Sequence, residues 1–217
     1  MNMKRIIMHW TGGAYKANAI DRNSYHIIFE GDGKMVLGKH PIAANEVIVK
    51  GQYAAHTFNC NTGSIGVSMA CMGGAKENET NGIYPVTEAQ FEAMCRSVAY
   101  LSKIHNIRIT PETVLSHAEV EKTLKIKQKQ KWDFTVLPFK PELKGATACG
   151  NYARARIKHY FDLNNVTKAA PTTTTAPVTK VVTQEPPTPI KVSPITPKVG
   201  WFGRLIGFIV SMLTRNR

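Results

Sequence analysis

The sequence predicts an α/β domain in which a mixed central β-sheet is flanked by helices. Over the first 166 residues, short apolar and β-branched runs alternate with segments of helical periodicity, the pattern typical of an α/β fold. The turn Gly31-Asp32-Gly33 is tight enough to join two runs as an antiparallel hairpin, so the sheet is expected to be mixed. This pattern ends where the composition changes, after residue 166.

The strands are predicted from apolar runs that end at glycine or polar breakers. The run SIGVSMACM is β-branched and apolar, and we expect it to be the central, buried strand. Residues 40–62 have little periodicity and are predicted to form a long loop over the sheet, a kind of loop that is usually functional or mobile. The predicted strands are 4–10, 24–29, 35–37, 64–72 and 113–115.

The clearest helix is predicted over residues 87–105. Thr87, with Gln90 three residues later, fits an N-terminal capping box. Apolar residues then recur at steps of three and four and form one stripe, which we expect to pack on the sheet. The stripe consists of Phe91, Met94, Val98, Leu101 and Ile104. A second helix is predicted over residues 146–161.

The chain is strongly basic, with a formal net charge of +13, which favours an anionic partner. Nucleic acid is not expected, because there is no helix-turn-helix or aromatic-basic strand motif. The four cysteines lack metal-site spacing, and Cys71 and Cys95 are expected to be buried thiols. The N-terminus lacks the pattern of a cleavable secretory signal, so synthesis in a reducing cytoplasm is expected. The sequence does not indicate the oligomeric state.

The last 51 residues are predicted to lie outside the folded domain, which we assign to residues 1–166. Residues 167–199 are rich in proline and threonine and are predicted to be a disordered linker. Residues 200–217 are predicted to form a cationic amphipathic helix. Its apolar run is shorter than the roughly 20 residues that a membrane span needs. An interfacial helix that contacts an anionic membrane is therefore favoured over a transmembrane one.

Candidate functional residues occur at the ends of predicted strands. His9 ends the first strand, Tyr25 and His26 open the second, and His117 follows the last. A single histidine is more commonly a surface or core residue, but open α/β sheets keep their sites at strand ends. His9 and His117 could bind one metal ion together with Asp133, which follows a basic run.

Four motifs resemble, in order, the amidase-2 family of zinc-dependent N-acetylmuramoyl-L-alanine amidases. The family includes phage lysozyme-type amidases and peptidoglycan recognition proteins. The resemblance implies the family's α/β fold for about residues 4 to 140 and leaves the C-terminal region outside it. The motifs are IIMHWTGG (6–13), SYHIIFEGDG (24–33), AAHTFNCNTGSIGVSM (54–69) and SHAEV to KWDF (116–134).

The resemblance implies a Zn²⁺ ion held by His9, His117 and Asp133, with an open position for water. It also implies two catalytic side chains. Tyr25 would orient or deprotonate the water, and Lys131 would stabilise the developing oxyanion. From the residues alone, Lys131 would instead belong to the solvated basic run of the preceding loop.

Trp10, His26, His56 and Asn61 are expected to contact the substrate. For His26 a packing role, or one behind the metal ligands, is an equal alternative. Glu119 either caps and orients the ligand segment or is solvated.

Two departures from the family pattern are visible. Ser68 stands where the wall-recycling branch has a glutamate, which places this chain nearer the phage-lysozyme branch. The separation of sixteen residues between His117 and Asp133 requires a loop insertion.

The expected function is that of a phage or prophage endolysin. It would cleave the muramoyl–L-alanine amide of peptidoglycan on the periplasmic side, with the C-terminal helix at a membrane. The alternative is a non-catalytic peptidoglycan-binding protein of the same fold.

Overall fold

A five-stranded mixed sheet forms the centre of the domain, as predicted. The computed structural model describes residues 3–166, with side chains described through residue 163. The strands are β1 (Arg5–Trp10), β2 (Ile27–Phe29), β3 (Met35–Leu37), β4 (Ser64–Met69) and β5 (Val114–Ser116). Their order in the sheet is β3-β2-β4-β1-β5, with β3 antiparallel to β2 and all other neighbours parallel.

The two central strands are buried on both sides but differ in what each side carries. In β4, Ile65, Val67 and Met69 join the main hydrophobic core, and we call this side the core face. The alternate residues Ser64, Gly66 and Ser68 are small, and we call their side the polar face. Alternation in a strand sends successive side chains to opposite faces, so one strand serves both environments.

Strand β1 follows the same alternation. Ile6 and Met8 belong to the main core, whereas Ile7 packs in a small second cluster with Leu115 of β5. His9, two residues after Ile7, therefore points to the same side as Ile7. In the β1–β4 register it lies opposite Ser68.

The helices cover both faces of the sheet, and the helix predicted over residues 87–105 is confirmed. Helices α2 (Glu88–Ile104) and α4 (Ala146–Val166) pack against each other on the core face. The Thr87–Gln90 capping box is present, with both hydrogen bonds at 3.1 Å. The helices are α1 (Ala19–Ser24), α2 (Glu88–Ile104), α3 (His117–Leu124) and α4 (Ala146–Val166), and a short 3-10 helix covers Ile42–Asn45.

Several predicted boundaries and burials need correction. The strand expected from residue 24 begins at Ile27, because the Tyr25 N–H completes helix α1 by donating to the Asp21 carbonyl. The last member of the α2 stripe, Ile104, is 38% exposed, although the other four are fully buried. Helix α3 was not predicted. All four cysteines are buried free thiols, which confirms the expectation for Cys71 and Cys95.

The loop between β3 and β4 is held in place by one buried amide. Asn45 donates to the carbonyls of Ala54 and Asn61 at 2.9 and 3.2 Å, and its Oδ1 accepts from the Ala54 N–H at 2.9 Å. The predicted long loop is thus closed on itself beside the polar face.

Within residues 3–166, no helix has the length and apolar character to cross a membrane. The predicted linker and C-terminal amphipathic helix lie outside the described residues and stay predictions.

Candidate metal centre and groove

Three buried side chains converge where β1 and β5 end. His9 is the penultimate residue of β1, His117 is the first residue of α3 directly after β5, and Asp133 follows the basic loop. Asp133 Oδ2 lies 3.0 Å from both His9 Nδ1 and His117 Nδ1, and the two Nδ1 atoms are 3.1 Å apart. Parallel neighbours β1 and β5 bring their carboxyl ends to the same edge, which explains how residues 108 positions apart meet.

The orientation of His117 is fixed by Gln128. The Gln128 amide nitrogen donates to the carbonyls of Phe58 and Ile126, at 2.9 and 3.2 Å. Its Oε1 must therefore be the atom that faces His117 Nε2, at 3.0 Å. An amide oxygen only accepts, so the proton of the imidazole is at Nε2 and the lone pair of a neutral ring is at Nδ1.

A second chain of contacts fixes His9 in the same way. His56 Nε2 lies 3.3 Å from the Ser64 carbonyl, which only accepts, so this nitrogen is protonated. His56 Nδ1 then accepts from the Thr57 hydroxyl at 2.8 Å, and His9 Nε2 faces His56 Nδ1 and Thr57 Oγ1 at 3.3 and 3.4 Å. His9 therefore also carries its proton at Nε2. Burial lowers the pKa of His9 to about 4, so the ring is neutral at pH 7.

The three atoms that face one another are therefore acceptors. Two imidazole lone pairs and a carboxylate within hydrogen-bonding distance repel unless a cation lies among them. The possible ligand atoms of these residues lie within 4.8 Å of one another, so the group could bind a metal ion. A set of nitrogen and oxygen donors of this kind suits Zn²⁺.

Aromatic packing on both sides of Asp133 sets its position. The ring of Trp132 meets that of Trp10 edge-on, with centroids 5.1 Å apart. Phe134 is fully buried, packs near Phe91 and has a positive φ of 85°, which is rare for a residue with a side chain. The Asp133 carbonyl also accepts from the Ala118 N–H at 3.2 Å. Asp133 is thus held by the core and by helix α3.

Glu119 caps helix α3, which begins at His117, so the predicted capping role is confirmed. Its carboxylate accepts from the Ser116 N–H at 2.9 Å and pairs with both terminal nitrogens of Arg154 at 2.8 and 3.0 Å. Glu119 and Arg154 are both nearly inaccessible. The pair ties α3 to α4, and a side chain at Gly150 would overlap the carboxylate, since its Cβ would lie 2.3 Å from the nearest oxygen.

The three residues open onto a groove of about 980 Å³, within the size range of ligand pockets. His117 and Asp133 are part of its wall, and His9 lies behind them. Most of the other sequence-predicted site residues also line the groove, namely Trp10, Tyr25, His56, Asn61 and Lys131.

His26 is the exception, and the substrate contact predicted for it is corrected. It is 3% exposed and is not part of the groove wall. Its Nδ1 accepts from the Gly66 N–H at 2.9 Å, and its Nε2 donates to Asn45 Oδ1 at 3.1 Å. The alternative packing role is the one that the structure supports: His26 connects β4 to the anchor of the long loop.

Tyr25 and Lys131 both line the groove onto which the metal candidates open. The Tyr25 ring is 5.1 Å from the His9 ring. Burial, and secondarily the charge of Asp133, raise the pKa of Tyr25 well above its usual range, so the phenol keeps its proton at neutral pH. Lys131 is exposed at the groove. Ser68 is buried on β4.

Gln128 and Asn45 were missed by the sequence reasoning. A signal for Gln128 exists in the alternation of residues 125–129, where Lys125, Lys127 and Lys129 are exposed while Ile126 and Gln128 face inward. For Asn45 we find no comparable signal, since its partners are backbone atoms of a loop without periodicity.

Comparison with protein families gives one match. Residues 1–134 match Amidase_2, described as N-acetylmuramoyl-L-alanine amidase. A search of curated proteins found no match.

Several solved structures are similar to this chain at low identity. N-acetylmuramoyl-L-alanine amidase LysC from Clostridium intestinale URNW has 17% identity and a TM-score of 0.40, covering 64% of this chain and 82% of its own. AmiD from E. coli, in complex with anhydro-N-acetylmuramic acid-L-Ala-D-gamma-Glu-L-Lys, has 17% identity and a TM-score of 0.36, covering 54% and 48%. Bumblebee PGRP-SA has 16% identity and a TM-score of 0.37, covering 54% and 71%.

Proposed function

Because this chain belongs to the N-acetylmuramoyl-L-alanine amidase family, we propose that it hydrolyses the amide between the lactyl group of N-acetylmuramic acid and L-alanine in peptidoglycan. The observation that carries the proposal is the convergence of three buried acceptors, His9, His117 and Asp133, at a groove of about 980 Å³.

We propose that these three residues hold a zinc ion. Two imidazoles and one carboxylate leave a fourth position free, which is the open arrangement of catalytic zinc sites. When bound, the ion would supply a Lewis acid and lower the pKa of a water molecule to near neutrality. His56 would keep the lone pair of His9 directed at the ion, the role that outer partners of metal ligands usually have.

The remaining chemistry is assigned to two side chains on the groove. In the reaction the water oxygen bonds to the amide carbon, the carbon–nitrogen bond breaks, and the nitrogen of alanine takes up a proton. Tyr25 keeps its phenolic proton and can therefore donate a hydrogen bond that orients an oxygen near His9. Lys131 offers an ammonium group to the oxyanion that develops on the carbonyl. A well-placed group of this kind contributes about 3 kcal/mol.

The test is mass spectrometry of purified sacculi digested by the wild-type protein and by Asp133→Ala. We expect free stem peptides that begin with L-alanine from the wild type and none from the variant, because the carboxylate donor is lost. Asp162→Ala removes an exposed carboxylate from α4 and serves as the matched control, with wild-type release expected. A wild-type protein that binds sacculi without releasing peptide would instead be a non-catalytic binder, and full activity of Asp133→Ala would refute the metal assignment.

We further propose that the protein acts as a phage or prophage endolysin, made in the cytoplasm and acting on the wall from the periplasmic side. The excess of 28 basic over 15 acidic residues suits anionic wall material. Residues 200–217 would contact an anionic membrane. Deleting them should leave hydrolysis of purified sacculi intact and reduce binding to vesicles that contain anionic lipid. Unchanged vesicle binding would contradict the proposed membrane contact.

A further inference from the structure

We propose that Gln128 is a positioning residue for the metal centre, acting through His117. It would fix the His117 tautomer that leaves Nδ1 free for the metal, and it would join this ligand to the rim of the groove at Phe58. The inference rests on the proposed function only for the presence of a metal, since the contacts of Gln128 are those of the chain itself.

Every polar group of the Gln128 side chain has a hydrogen-bond partner. Both amide hydrogens are directed at carbonyl oxygens, those of Phe58 and Ile126, and the amide oxygen accepts from His117. Gln128 is 2% exposed, so water does not compete for these contacts. Glutamate would keep the acceptor for His117 but lose both donors. An apolar residue would lose all three contacts and leave the His117 tautomer unspecified.

The backbone of the surrounding loop is shaped to deliver this side chain inward. Lys125, Lys129 and Gln130 have positive φ values of 61°, 53° and 56°. Non-glycine residues adopt this region at a cost, and they keep it where the surrounding contacts enforce it. The Gln128 N–H donates to Glu121 Oε2 at 2.8 Å, which ties the turn back to helix α3. The loop between His117 and Asp133 is therefore an ordered part of the metal centre.

Phe58 gives this loop a second contact at the groove. Its ring is 56% exposed and lines the groove, and the Lys129 ammonium lies 5.2 Å from the ring centroid. Gln128 thus connects a metal ligand on one side with a groove residue on the other. Substitution of Gln128 is expected to affect metal binding first and the adjacent rim second.

The first experiment measures the zinc affinity of the full-length chain by competition with a chelator. We expect Gln128→Met to weaken zinc binding roughly 10- to 100-fold, the range typical for loss of an outer partner of a metal ligand. Gln128→Glu keeps an acceptor for His117 and should recover most of that loss. Gln130→Met is the matched control, because Gln130 is in the same loop and exposed, and its affinity should equal that of the wild type. Equal affinities for Gln128→Met and wild type would overturn the proposal.

The second experiment records the imidazole ¹⁵N resonances of His117 in the metal-free chain at pH 7.5. We expect the form protonated at Nε2 in the wild type and in Gln128→Glu, and a mixture of tautomers in Gln128→Met. An unchanged tautomer in Gln128→Met would contradict the proposal even if the variant had lost stability. This readout needs neither metal nor turnover. A wild type that shows the expected tautomer but releases no stem peptide would refute the proposed function and leave the role of Gln128 standing.

Discussion

The two faces of strand β4 use the same backbone for opposite purposes. The core face presents Ile65, Val67 and Met69 to helix α2, and all three are fully buried. The polar face presents Ser64, Gly66 and Ser68, whose small size leaves room for imidazole rings. A Cβ at Gly66 would lie 2.5 Å from the His56 ring. One face thus contributes stability through large apolar side chains, and the other makes a site possible by the absence of them.

The difference shows that the site depends on small residues that leave space for the imidazole rings and on directed hydrogen bonds. The core depends on the volume of its apolar side chains. On the polar face, His26 and His56 use the Gly66 N–H and the Ser64 carbonyl, respectively, as fixed partners. Substitutions on the core face should therefore change the free energy of unfolding with little effect on the site. Substitutions on the polar face should disturb metal binding at a smaller cost in stability.

The largest change in stability is expected on the core side. Met94→Ala removes a fully buried side chain of α2 and should lower the free energy of unfolding by about 2–5 kcal/mol, through lost burial and the remaining cavity. Met94→Leu conserves volume and should cost less than about 1.5 kcal/mol. Urea unfolding measures both. Zinc affinity of the folded Met94→Ala protein should be unchanged, and a large loss of affinity would show that the two faces are not separable.

The next effect concerns acid pH and the polar face. Burial lowers the pKa of His26 to about 4, below its ordinary value of 6.5 in the unfolded chain. The unfolded chain therefore takes up a proton first, and the contribution of His26 to stability is complete above pH 6.5 and is lost as the pH falls towards 4. The expected loss from this residue is about 3 kcal/mol.

Urea unfolding as a function of pH, compared between variants, checks this loss. His26→Gln should show a weaker decline in stability between pH 6.5 and 4 than the wild type. His40→Gln is the control, because His40 is partly exposed and should contribute far less. A decline in His26→Gln as steep as in the wild type would mean that His26 is not buried as a neutral ring.

The smallest change in stability is expected from Gly66→Ala. The added methyl group must displace the His56 ring, and overpacking of this kind costs about 1–3 kcal/mol. Because His56 orients His9, zinc affinity should also fall. Ser64→Ala adds no atoms to the same face and should affect the affinity less. Calorimetric titration measures the zinc affinity of both variants. An unchanged affinity in Gly66→Ala would show that His56 is not needed to direct His9.

Much of the fold could be predicted because its core is periodic. The apolar stripe of α2 and the short apolar strands have patterns that depend only on neighbours in sequence. The errors lie where local and tertiary interactions compete. Tyr25 reads as part of a strand, but its N–H completes helix α1. Ile104 continues the stripe, but it lies in the last turn of α2, where the side chain is 38% exposed.

The site was predictable only in part. His9, His117 and Asp133 could be selected together because of their resemblance to a family, and the structure brings them into contact. The outer partners follow a different logic. Gln128 donates to a carbonyl of a distant loop and Asn45 to carbonyls of its own loop, and no local pattern specifies which amide is buried. His26 has the residue type of a groove residue, and only the β4 backbone beneath it shows that it is a packing residue.

Removal and return of the metal test directly whether the activity depends on a metal ion. Full-length protein treated with a chelator should lose the release of stem peptides from purified sacculi, and one equivalent of Zn²⁺ should restore it. His117→Ala should bind no zinc and stay inactive after zinc is added, while His159→Ala, which changes an exposed histidine on α4, should behave as wild type. Stem-peptide release by the metal-free protein, or restored activity in His117→Ala, would contradict a metal-dependent amidase centred on His9, His117 and Asp133.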